Sequence, residues 1–268
     1  MAYLAVEGDR SMYYERFEGG GRPVVLVHGW GMGARIWDTV VPALLANGND
    51  VTVYDHRCCG RSDKDFDDVS IDALGSDVVR LVDHLDLSGV VINGWSLGGA
   101  VAVDAVAKLG RSAAGLVLTG GATPKYTQGD GWSYGGTVEG LEETLAALRD
   151  GRPDFLHGLA QGVCASDPGP VVVEWMWQMF METSPRADGS LRDLGRVDQR
   201  DIVTKLDVPA LVMRGDKDAI VDPAIGSEAA RLLPQGRLVA FADSGHAPFL
   251  EEHARYCREL IDFIGSLD

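Results

Sequence analysis

Four short apolar runs, two of them followed by helical patterns, constrain this chain more than any other feature. They read "VVLVHG" at 24–29, "DVTVYD" at 50–55, "GVVINGW" at 89–95 and "AAGLVLTG" at 113–120. Runs this short and this apolar suit strands that are covered on both faces. Between them, Ile71 to Leu85 and Ser96 to Leu109 read as helices, with Gly110 placed to stop the second. Strand and helix in alternation predict an α/β fold with a mainly parallel, doubly wound sheet. Ahead of it, "AYLAVEG" and "SMYYERFE" alternate about a turn, as a β-hairpin does.

The rhythm stops near Gly121. Residues 122–200 carry helical patterns, Pro and Gly breaks and the aromatic–Met cluster "VVVEWMWQMF". Strand signals return at "VPALVMRGD", followed by a helix over Ile225 to Leu233, the strand "GRLVAF" and a last helix from His253 to Ile264. The expectation is one core, 1–121 and 201–268, interrupted by a helical insertion at 122–200. A chain of 268 residues has room for that.

Charge and cysteines narrow the function classes. Lys and Arg number 24 against 40 Asp and Glu, a formal net charge of −16, which opposes binding to nucleic-acid phosphates. The four cysteines, Cys58, Cys59, Cys164 and Cys257, show no CxxC spacing and no pairing framework, so a reducing compartment is expected. No basic segment followed by an apolar one opens the chain, and no apolar run reaches 18 residues. A cytoplasmic protein acting on a small molecule, as a monomer or small homo-oligomer, is the expectation, with no nucleic-acid or membrane partner.

Within "VVINGWSLGGAVAV", residues 90–103, one serine sits at the tightest point of a strand-to-helix turn. Gly94-Trp95-Ser96-Leu97-Gly98 fits G-x-S-x-G, the pattern of a nucleophile elbow. A β-carbon at Gly94 or Gly98 would collide with the neighbouring strand and helix. The helix N-terminus also turns free N–H groups toward any anion forming beside Ser96. A serine that merely caps the helix meets the same pattern.

A serine hydroxyl needs a base to take its proton. Of six histidines, His246 in "FADSGHAPFLEE" follows the last predicted strand, on the edge where open parallel sheets place their sites. His84 and His253 fall inside helices, His157 in the insertion, and His28 and His56 end strands ahead of the serine. For the acid, "LVMRGDKDAIVDP" offers Asp216, Asp218 and Asp222. Asp218 follows G-x-x-D, Asp216 suits a loop hydrogen bond, and Asp222 before Pro223 reads as a helix cap. The order Ser96, Asp218, His246 is a known chain order for a catalytic triad. Such a triad calls for no metal and no cofactor.

Here the chain resembles the α/β-hydrolase superfamily over nearly its whole length. "VLVHGWG" is similar to the family's oxyanion loop, "VYDHRCCGRSD" to its D-x-R-G-x-G-x-S segment, "GWSLGG" to its elbow, "RGDKDAIV" to its acid loop and "SGHAPFLEE" to its histidine loop. The resemblance implies Ser96 as nucleophile, His246 as base, Asp218 as its partner, and the backbone N–H groups of Trp30 and Leu97 as oxyanion hole. Cys58 departs from it, standing where the family usually has Gly; a positive φ there would strain it.

Acyl transfer through a serine implies a carbonyl substrate. The insertion of such proteins usually caps the site, and Trp132, Tyr134, Trp175, Met176, Trp177, Met179, Phe180 and Met181 are candidates to wall an apolar pocket. A neutral, fairly apolar ester or lactone is the expected substrate. Family alternatives are C–C bond hydrolases of ring cleavage, haloperoxidase-type perhydrolases and hydrolase-fold receptors. Ser96 excludes the dehalogenases, which carry Asp at the elbow. Perhydrolase-type members tend to carry Pro after the oxyanion-loop aromatic, whereas Gly31 follows Trp30.

Overall fold

A computed structural model describes residues 2–267. Eight strands form one sheet: β1 (Ala2–Glu7), β2 (Arg10–Phe17), β3 (Pro23–Val27), β4 (Asp50–Tyr54), β5 (Val90–Trp95), β6 (Ala113–Thr119), β7 (Ala210–Gly215) and β8 (Gly236–Phe241). Their order across the sheet is β1-β2-β4-β3-β5-β6-β7-β8. The opening hairpin pairs Leu4 with Met12, and β2 runs antiparallel to β4; every later pairing is parallel. The unbroken apolar runs are the central strands. Val24 to Val27 and Val90 to Ile92 are wholly buried, because helices cover both faces.

On those faces lie α1 (Val41–Ala46), α2 (Ile71–His84), α3 (Leu97–Leu109), α9 (Pro223–Leu232) and α11 (His253–Gly265). Between β6 and β7 come α4 (Val138–Asp150), α5 (Arg152–Gly162), α6 (Pro170–Met181), α7 (Asp188–Leu194) and α8 (Arg200–Val203), and α10 (Pro248–Glu251) precedes α11. Ser70 caps α2 by accepting the Ala73 N–H at 3.2 Å. The segment between β6 and β7 is helical, with only isolated bridges at Thr127–Gly136 and Gly129–Trp132 among the described residues. It is anchored on the sheet side by Gln199, whose amide donates to the Ala100 carbonyl at 2.8 Å and accepts from Thr123 Oγ1 at 2.7 Å. No helix among the described residues is long and apolar enough to cross a membrane.

Two local readings sharpen. The helix expected from Ser96 begins one residue later, at Leu97. Cys58 has φ 66°, a left-handed conformation that disfavours a β-carbon. Its loop is held by the Cys58 N–H to Asp63 O at 3.0 Å and the Ser184 N–H to Cys58 O at 2.8 Å. All four cysteines are buried and free, so Cys58 and Cys59 are not joined.

Candidate active site

The C-terminal edge of the parallel strands gathers the candidate residues from five separate loops. β3 delivers Gly29 and Trp30, β5 delivers Ser96, β6 Gly120, β7 Asp218 and β8 His246. Ser96 has φ 58° and ψ −126°, a strained backbone for any residue with a β-carbon. It stands at the N-cap of α3 but makes no capping hydrogen bond. Its N–H donates to Thr119 O at 3.1 Å, and its carbonyl accepts Gly99 and Ala122 N–H groups at 2.9 Å each. The main chain is thus pinned while the hydroxyl is kept out of capping.

The flanking glycines are required by contact. A β-carbon at Gly94 would lie 2.1 Å from the Gly98 carbonyl oxygen, and one at Gly98 would lie 2.5 Å from that of His28. Both clashes are with backbone, which cannot swing away. Gly29 is less tightly placed, its β-carbon meeting the Ser96 Cβ at 3.0 Å.

His246 is buried and fixed at three points. Its N–H donates to Val163 O at 2.9 Å, its carbonyl accepts the Trp95 indole N–H at 2.8 Å, and its Nδ1 lies 2.8 Å from Asp218 Oδ2. With the Nδ1 proton directed at that carboxylate, a neutral ring keeps its lone pair on Nε2. The other oxygen of Asp218 accepts the Ile220 and Val221 N–H groups at 2.9 Å each. Asp216 instead meets Arg214 at 2.6 Å, and Asp222 caps α9 through the Ala224 N–H at 2.9 Å. The three acids are therefore separated by geometry, and Asp218 is the one at the imidazole. Gly120, a position missed in the sequence, has φ 48°, and a β-carbon on it would sit 3.2 Å from His246 Nδ1. The other histidines lie elsewhere: His28 and His56 form a buried pair, His84 meets Tyr14, His157 faces Glu174 and Trp177, and His253 bonds within its helix region.

Ser96, His246, Trp30 and Leu97 line one cavity of about 390 Å³. Leu97 is the first residue of α3, where the N–H has no intrahelical partner. Trp30 turns its indole away to donate to Ala187 O at 3.1 Å and packs on Phe180 with ring centroids 6.1 Å apart. Tyr126, Leu141, Phe155, Leu159, Phe180 and Leu191 supply much of the remaining wall. Among its lining residues there is no Asp, Glu, Lys or Arg.

Of the eight side chains named as candidates for the pocket wall, Trp132, Tyr134, Trp175, Trp177 and Met181 are placed elsewhere. Trp132 lines a shallow surface depression and stacks edge-on against Tyr134 at 4.9 Å. Trp175 lines a separate small pocket and a surface groove, the Trp177 indole donates to Pro153 O at 3.0 Å, and Met181 is 44% exposed. The physical reason is helix orientation: α6 buries Val173, Met176, Met179 and Phe180, which leaves Trp175 and Trp177 half-buried on its flanks. Phe180 alone of the aromatic–Met cluster joins the cavity wall. Leu141 and Phe155 were legible only as apolar faces of α4 and α5, a signal equally met by ordinary helix packing.

A family model for the alpha/beta hydrolase fold matches residues 22–253. The chain belongs to the α/β hydrolases. It is 27% identical to the AB hydrolase superfamily protein YisY of Bacillus subtilis, over 98% of this chain and 99% of that one. It is 28% identical to the non-heme haloperoxidase of Rhodococcus erythropolis, over 99% and 100%. Among solved structures, an esterase from Exiguobacterium antarcticum superposes with a TM-score of 0.95 at 26% identity, covering 98% of this chain and 99% of that one. Esterases and haloperoxidases thus both stand among the relatives of this hydrolase.

Proposed function

We propose that this α/β hydrolase cleaves a neutral carboxylic ester or lactone through an acyl-enzyme on Ser96. The observation that carries the reading is the placement of a strained, non-capping serine in the same cavity as an imidazole backed by Asp218 at 2.8 Å. In this reading Ser96 Oγ attacks the carbonyl carbon while His246 Nε2 takes its proton. Asp218 holds the ring in the required tautomer and stabilises the imidazolium. The N–H groups of Trp30 and Leu97 receive the developing oxyanion. His246 then returns the proton to the leaving alkoxide; water, deprotonated by the same imidazole, attacks the acyl carbon, and that proton passes to Ser96 Oγ as the acid leaves. Residues 122–200 act as the cap over the cavity. The lining favours neutral substrates, because a buried charge without a partner is costly.

Labelling tests it. A fluorophosphonate should add once per chain, on the peptide carrying Ser96, and Ser96→Ala should lose both the label and ester turnover. Full labelling of Ser96→Ala would defeat the assignment. The haloperoxidase relative supports a second reading, in which peroxide replaces water at the acyl-enzyme. Against it stands Gly31 at φ 71°, where proline, locked near −65°, cannot follow the same path. Peracid formation from acetate and hydrogen peroxide should therefore be slow beside ester hydrolysis.

A further inference from the structure

Of the residues lining the cavity, Gly136, Thr137 and Ala219 are the exposed ones, so they mark its mouth. Gly140, in the first turn of α4, lies just inside. The two sides of this mouth are tied together. Gly135 N–H donates to Asp222 Oδ2 at 3.1 Å, while the other oxygen of Asp222 caps α9. Every side chain at the rim is small.

Most glycines around the site have a structural reason. Gly135, for example, has φ 79°, and a β-carbon there would meet the Tyr126 carbonyl oxygen at 2.1 Å. Gly136 and Gly140 have none: neither adopts a left-handed φ, a β-carbon on Gly136 would meet nothing within 4 Å, and one on Gly140 would make ordinary contact with Thr137 Oγ1 at 3.4 Å. Within a helix, glycine also forfeits stability relative to alanine. The fold gains nothing from Gly140, whereas the mouth gains width. Inward from it stand Leu141, Phe155, Leu159 and Leu191, an apolar throat.

We propose that Gly140, with Gly136 and Ala219, sets the girth of a portal through which an apolar chain threads toward Ser96, making these positions specificity determinants for substrates with a long unbranched acyl group. What is cleaved rests on the hydrolase reading above; entry of the chain does not. Two readouts separate them. The first is kcat/KM on p-nitrophenyl acetate and decanoate. The second is the association rate of an unreactive long methyl ketone, 2-tridecanone, followed by quenching of tryptophan fluorescence. Gly140→Phe should slow ketone entry and lower the decanoate-to-acetate ratio by about tenfold or more. Gly140→Ala should raise Tm while still lowering that ratio; Gly158→Ala, on the exposed side of α5, should raise Tm alone. Unchanged ketone entry and an unchanged ratio in Gly140→Phe would overturn the portal, as would failure of the parent protein to bind the ketone. A parent that binds the ketone but turns over no ester would overturn the hydrolase reading and leave the portal to be decided by entry rates.

Discussion

Acid should weaken this fold through His28, beside the site but outside its chemistry. The ring is fully buried at the end of β3. Its Nδ1–H donates to Gly29 O at 2.7 Å, and its Nε2 accepts the His56 N–H at 2.9 Å. A neutral ring satisfies both contacts; a second proton would set one N–H against another. Burial above all, with a smaller push from the Lys64 charge, lowers His28 from 6.5 to about 4. His56, with its ring centroid 4.1 Å away, is lowered as well, by burial and then by His28.

A folded pKa below the unfolded one means that the unfolded chain binds more protons across the interval between them. Stability from His28 is therefore complete above about 6.5, falls as the pH drops, and levels off below about 4. At about 1.4 kcal/mol per pH unit, that interval amounts to about 3 kcal/mol, of which about 2 is lost by pH 5. Asp55 and Asp104, raised by burial, act in the opposite sense, so the raw profile mixes signs. His28→Gln isolates the term, since its amide oxygen still reaches the His56 N–H without titrating. Urea unfolding at pH 7.5 and 5.0 should show the parent losing about 2 kcal/mol more than the variant between the two. Equal losses would refute the reasoning, whatever the absolute stabilities.

Asp218→Asn should lower kcat by about a thousandfold or more with little change in KM, while Asp216→Asn and Asp222→Asn stay within a few-fold of the parent; steady-state kinetics on one ester decides. Trp175→Ala and Trp177→Ala should leave kcat/KM on short and long esters within about twofold, because neither lines the cavity. Trp177→Ala should also lower unfolding stability by about 1 kcal/mol through the lost bond to Pro153, read by urea titration.

How far the fold could be read in advance follows from what each signal depends on. A buried parallel strand needs an apolar run whatever its partner is, so β3, β5, β6 and β7 were legible one at a time. The tight turn at Ser96 was open to a similar local reading. Gly94 and Gly98 clash with backbone only a turn or a strand away, and the strain at Ser96 follows from that turn. Asp218 and His246 could be singled out as candidates because each follows a strand at the same sheet edge. Gly120 could not: its neighbour is His246, and nothing in "LVLTGG" announces a histidine from another loop.

The insertion resisted for the opposite reason. Period and composition say that α6 is apolar on most sides, but which side meets the cavity depends on how five helices settle over the sheet. Gly31 and Phe180 make the point together. In the sequence Gly31 is only one glycine among several near Trp30. A β-carbon there would fall 2.8 Å from Phe180 Cδ1, and the φ of 71° turns the loop aside to receive that ring. Phe180 in turn lies against Trp30 and closes the cavity wall. Glycine on the loop and phenylalanine on α6 are therefore one steric arrangement. Placing proline at 31 would require both a different loop path and a displaced Phe180, so this turn is set half by the core loop and half by α6.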